Sequence, residues 1–138
     1  MTVVEPGKRA SFMVACRTNY FNDIRPSDQG ARKTGGFNEA VAIAKTYFRE
    51  GRREAFRAYL SETKYLADLW AAHFVLEYGQ PDANLQKECL GIIERYAAST
   101  FDAALAREEQ LWLREYALAG PFCRREELSL MQGAQKKV

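Results

Sequence analysis

The chain has one histidine, His73, inside the apolar run YLADLWAAHFVLEYG at residues 65–79. Histidine is the commonest acid–base group near neutral pH, so a catalytic reading starts there. Its neighbour by helical spacing is Glu77, four residues on, and a hydrogen-bonded pair at the edge of a core is the expected arrangement. A metal site needs further ligands at set spacing, and none accompanies His73, so neither a metal nor a cofactor is expected.

Glu108 falls on the apolar stripe between Leu105 and Leu111, while its neighbour Glu109 is expected to point elsewhere. A carboxylate on such a stripe is expected to close a salt bridge at a helix interface. No G-x-S-x-G occurs, and no cysteine stands beside a plausible base. Gly35-Gly36 lacks the preceding strand and following Lys-Ser/Thr of a phosphate loop, and reads as a flexible joint. The three cysteines, Cys16, Cys89 and Cys123, form no C-x-x-C pair and no even framework, so reduced thiols are expected. No catalytic residue is assigned, and the chain is read as non-enzymatic.

Charge is distributed unevenly. Residues 1–57 hold eleven Lys and Arg against six Asp and Glu, residues 58–119 five against ten, and the tail four against two, within a net charge of +2. Such asymmetry bears on partners, because fields of one sign steer ligands of the other. The acidic set Glu62, Asp68, Glu77, Asp82, Glu88 and Glu94 points to a basic protein partner. Asp68, on a nearly apolar helix, is likewise expected in a salt bridge at a helix interface, the alternative being that its strip, with Lys64, faces water. The alternative is nucleic acid held by the basic run Arg49, Arg52, Arg53 and Arg57, although a sequence pI near 8.4 is low for a dedicated nucleic-acid domain.

The elements that carry these groups are helical. Phe37, Ala40, Val41, Ala44 and Phe48 recur at helical spacing up to a left-handed stop at Gly51. A short segment follows over residues 52–60, and Ser61 is placed to cap a long helix running to Tyr78, ended by Gly79 and Pro81. That helix is apolar most of the way round and is expected at the centre of the domain. Asp82 opens an amphipathic helix with Leu85, Cys89, Ile92, Ile93 and Tyr96 on one face. Ser99 and Asp102 resemble a capping box for a helix bearing Phe101, Leu105, Leu111, Trp112 and Tyr116. Alternating strand patterns and Asn-Gly or Asp-Gly turns are missing.

The expected fold is therefore all-α: antiparallel helical hairpins in a HEAT-like stack or an irregular bundle of five to six helices. Its helical domain spans 36–119, preceded by a partly flexible extension over 1–35 with a short helix at 10–24 and a linker at 25–36. It is followed by a tail over 120–138 with one short helix. The apolar run Phe12 to Ala15 is too short for an export signal and no run reaches a membrane span, so a cytoplasmic setting is expected. Trp70, Trp112 or Phe122 could serve either the core or self-association as a homo-oligomer.

The order N-E-A … G-R-R-E-A-F-R-A-Y-L … L-W-A-A-H-F-V-L-E, followed by C-L-G-I-I-E-R-Y-A and L-W-L-R-E-Y, covers residues 36–117. It resembles the small bacterial HEAT-like proteins grouped as domain-of-unknown-function family 2019. That resemblance implies a HEAT-like stack and a binding role. Small helical proteins with an acidic face include bacterial immunity and antitoxin-like proteins that occlude a basic toxin, which is the expected function by analogy of class.

Overall fold

The computed structural model describes residues 4–119, with side chains from Phe12 onward; the tail expected to hold a short helix, with Phe122 and Cys123, lies outside the described residues. Six α-helices and no strand make up the described chain: α1 Val4–Phe21, α2 Gly35–Arg49, α3 Arg53–Arg57, α4 Ala67–Tyr78, α5 Ala83–Ala97 and α6 Ala103–Ala119. They form an irregular all-α bundle around α4. Every residue of α4 from Ala67 to Leu76 is buried, as a segment apolar on all sides requires.

Around it lie α1 and α2 on one side and α5 on the other, with α6 packed on α5. An aromatic cluster joins the first four helices: Phe12 of α1 lies 4.8 Å from Phe56, and Phe37 of α2 lies 5.5 Å from Trp70 and 6.0 Å from Phe74. Tilted and edge-on rings at these spacings match the electrostatic preference of aromatic pairs. Phe12 and Trp70 are fully buried and Trp112 nearly so, which places both tryptophans in the core rather than at a self-association surface.

The boundary expected at residue 35 does not separate two bodies, because α1 contributes Phe12, Ala15, Cys16 and Asn19 to the same interior. The stretch expected as a linker is built: Pro26 and Ala31 are buried, and Gln29–Lys33 form a 3-10 turn capped by the Asp28 carboxylate. Thr34 then caps α2 by accepting from the Phe37 N–H at 3.1 Å. Gly36 must be glycine, since a Cβ there would lie 2.2 Å from the buried Asn19 side chain, whose Nδ2 donates to the Gly36 carbonyl.

Two helix starts differ from expectation. Ser61 does not cap α4; the chain passes through 3-10 turns at Ala58–Ser61 and Lys64–Leu66, and α4 begins at Ala67. The Asp68 N–H reaches back to the Glu62 carbonyl at 2.7 Å, closing a loop that local propensity does not specify. Likewise α6 starts after Asp102, whose carboxylate accepts from the Leu105 N–H at 3.1 Å, leaving Phe101 outside the helix and fully exposed. Asp82 caps α5 as its position suggests.

Candidate functional site

His73 projects from α4 toward α6 and the loop before α2. Its Nε2 lies 2.7 Å from Oε1 of Glu109 and 3.0 Å from Oγ of Ser27. The expected pair with Glu77 does not form, because Glu77 lies outside this interior and binds Arg32 at 2.8 Å. On α6 Leu105 and Trp112 face inward as expected, but Ala106 and Glu109 join them, so Glu109 is fully buried and Leu111 is half-exposed. Glu108 stands at the margin and forms the expected interface salt bridge, with Arg25, its Oε2 2.7 Å from Nη2 and its Oε1 2.9 Å from Nε.

Serine, histidine and glutamate together suggest a nucleophilic relay, but such a relay needs serine on one ring nitrogen and the acid on the other. Here both meet Nε2, while Nδ1 has no partner among the described residues. The arrangement ties the 27-loop, α4 and α6 together, with the Trp112 ring edge-on to the imidazole at 4.5 Å.

Asp68 is the second buried polar centre. It is fully buried against α5 and makes the expected interface salt bridge, while the water-facing alternative for its strip with Lys64 does not hold. Its Oδ1 accepts from the Tyr96 hydroxyl at 2.7 Å and the Leu69 N–H at 2.8 Å, and Arg95 reaches Oδ2 at 3.3 Å. Burial raises its carboxyl pKa above the usual range despite these donors. Burial first, and then the Asp68 carboxylate, push the Tyr96 phenol upward. The Cys16 thiol is raised by burial and by Asp68, and the Cys89 thiol is pushed up to about 12 by burial. Both thiols are therefore held protonated and poorly nucleophilic.

The remaining charged candidates do not converge. Asp82 is spent on a helix cap, Glu88 on Arg57 at 2.8 Å, and Glu62 accepts from the Lys64 N–H, which leaves Glu94 as an exposed acid on α5. Of the arginines, Arg52 stands 5.2 Å over the Tyr47 ring and Arg53 caps the end of α4 through the Gly79 and Gln80 carbonyls. Arg49 is exposed beside Thr46.

A different surface gathers groups suited to recognition. Tyr20 and Phe21 end α1, half or more exposed, and meet Tyr65 at ring separations of 5.8 and 5.9 Å. Arg17 lies over the Phe21 ring, and exposed Val14 extends the strip one turn back along α1. Tyr65 and Leu66 both adopt left-handed backbone, at φ 56° and 60°. Each such non-glycine residue costs about 1–2 kcal/mol. Beside this patch a cleft of about 280 Å³ is lined by Tyr20, Asp23, Ile24, Arg25, Leu66 and Asp102. Sequence reasoning missed the patch because its residues are distant in the chain and Tyr65 was assigned to a regular helix.

Fold and surface together define an all-α protein with a polar-locked core and an aromatic outer patch. No family model, curated protein or solved structure matches the chain. No helix among the described residues is long and apolar enough to cross a membrane.

Proposed function

We propose that this is a protein-binding module that acts by occupying its partner stoichiometrically, in the manner of an immunity or antitoxin-like protein. The observation that carries the reading is the exposed Tyr20–Phe21–Tyr65 patch with Arg17. Interface centres are enriched in aromatic residues and arginine, and large rings lose little conformational entropy on docking. The cost of two successive left-handed residues to present Tyr65 fits the pattern in which backbone strain collects at functional sites.

The partner's chemistry follows from the rim. Exposed Asp102, and Asp23, which binds Arg25 but keeps its side chain 86% exposed, flank the patch, which suits an apolar contact surface bordered by lysine or arginine. Electrostatics of this kind set orientation and association rate, whereas the aromatics supply the affinity. This reading keeps a basic partner while moving the contact from α5 to the end of α1.

The test is site-specific photo-crosslinking from position 21 in the native cytosol, followed by affinity measurement with the captured protein. A single stoichiometric adduct is expected, with binding weakened at least about a hundredfold by Phe21→Asp. Unchanged affinity in Phe21→Asp, or adducts spread over many proteins without stoichiometry, would sink the proposal.

A further inference from the structure

A second cavity lies away from the aromatic patch, where the C-terminal ends of α2 and α4 approach each other. It measures about 730 Å³ and is lined by Lys45, Arg49 and Arg53, with Phe48 and Tyr78 as apolar walls and Glu54 and Glu77 at its margin. That volume falls in the range of small-molecule sites, about 300–1,000 Å³. Gly79 forms part of the lining because a Cβ there would come within 2.9 Å of the Val75 carbonyl and 3.3 Å of Phe48.

We propose that this cavity binds a phosphorylated small molecule of nucleotide size, its phosphate held by Lys45, Arg49 and Arg53 and its flat body against Phe48 and Tyr78. The first support is the state of the cations. Lys45 lies 4.7 Å over the Tyr78 ring and Arg49 donates to Thr46 Oγ1 at 3.2 Å, and neither has a carboxylate within ion-pair distance among the described residues. Arg53 commits Nη1 to the Gly79 and Gln80 carbonyls, which fixes the guanidinium and leaves Nη2 and Nε available to a ligand.

The second support is the charge balance. Two helix C-termini meet here, and their carbonyls carry together about one unit of negative charge, which some of this cationic charge offsets. Glu77 is neutralised by Arg32 at 2.8 Å, and Glu54 faces Arg57 at 3.8 Å across one turn of α3. Arg57 is shared with Glu88 at 2.8 Å, so the three cations leave an excess of about one positive charge, enough to favour a phosphate. Arginine forks match phosphate oxygens in pairs, and a lysine adds a compact charge. Gly51 and Gln80, both in the lining, adopt left-handed backbone at φ 72° and 49°.

The experiment is amide-resolved NMR titration of the full chain with three probes: AMP, inorganic phosphate and adenosine. AMP is expected to shift the amides of Gly51, Gly79 and Gln80 saturably at submillimolar concentration, and to bind at least about tenfold more tightly than inorganic phosphate or adenosine. The double variant Lys45→Ala/Arg49→Ala changes only exposed side chains and is expected to weaken AMP at least about tenfold while leaving the remaining spectrum intact. No saturable shift at these amides, or an equal one in the double variant, overturns the site. Equal affinity for AMP and inorganic phosphate overturns the assignment of a ligand with a flat body.

Discussion

The interior beside α4 and the outer end of α1 use their chemistry in opposite ways. Inside, His73, Glu109 and Asp68 are spent on neighbouring helices, and no more than 2% of any of these residues meets solvent. Outside, Tyr20, Phe21 and Tyr65 are large apolar groups that the fold leaves partly in water, at a cost in both hydration and backbone strain. In these two regions the buried titratable residues fasten the bundle, and the aromatic residues at the end of α1 are left available for contact. Substitutions in the first region should alter stability; those in the second should alter binding alone.

The largest effect is expected at His73. Replacing it with alanine leaves the Glu109 carboxylate buried without its partner, a loss of about 3–5 kcal/mol. Adding Glu109→Leu should recover most of that loss, since a buried polar pair exchanged for apolar groups is often neutral. Urea unfolding of the two variants measures both steps. A double variant no more stable than the single one would show that the pair supplies something beyond charge compensation.

Asp68 separates burial from hydrogen bonding through its pH dependence. Its folded pKa is raised, so the native state holds this proton more tightly than the unfolded chain. The stability linked to Asp68 is therefore fully present below the unfolded carboxyl pKa of about 3.9 and is lost as pH rises through the folded value. Asp68→Asn removes this titration, and relative to the parent the variant should gain stability between acid and neutral pH. Unfolding curves collected across that window check the sign, and a relative gain toward acid would reverse the argument.

At the margin of the core, Arg25 contributes less. Its two-pronged contact with Glu108 is about one-fifth exposed on each side, and Arg25→Ala should cost about 1 kcal/mol. The measurement is the urea midpoint at low and high salt. A loss matching that of His73→Ala would erase the distinction between core and margin.

How much of this was legible depended on the range of the signal. The fold class follows from local periodicity: α2, α5 and the all-round apolar character of α4 are written in residue spacing, and Gly51 and Asp82 behave as their local sequence directs. His73 was correctly read as a core residue, but its partner could not be. Glu109 is 36 residues away, and the pairing depends on the rotational phase of α6, where a one-residue error exchanges Glu108 with Glu109. Asp68 makes its interface salt bridge with Arg95, but its full burial is not legible, because the helix cap falls at Leu66 rather than Ser61 and nothing local signals the left-handed pair Tyr65–Leu66. The acidic set failed to converge for a related reason: composition counts charges, whereas caps and ion pairs with Arg32 and Arg57 consume them one at a time.

The smallest stability effect is expected where the functional effect is largest. Phe21 is 68% exposed and terminates α1, so Phe21→Asp should change stability by no more than about 0.5 kcal/mol. A carboxylate in the last turn of α1 is mildly unfavourable to the helix dipole, but Arg17 one turn earlier compensates it. Leu118 of α6 is a matched control, 83% exposed on another helix, and Leu118→Asp should be equally silent in stability. The two variants then differ only in binding, with the Phe21 change abolishing partner capture and the Leu118 change retaining it. Loss of capture in both would mean that any exposed apolar residue suffices, and the aromatic patch would lose its claim to be a specific surface.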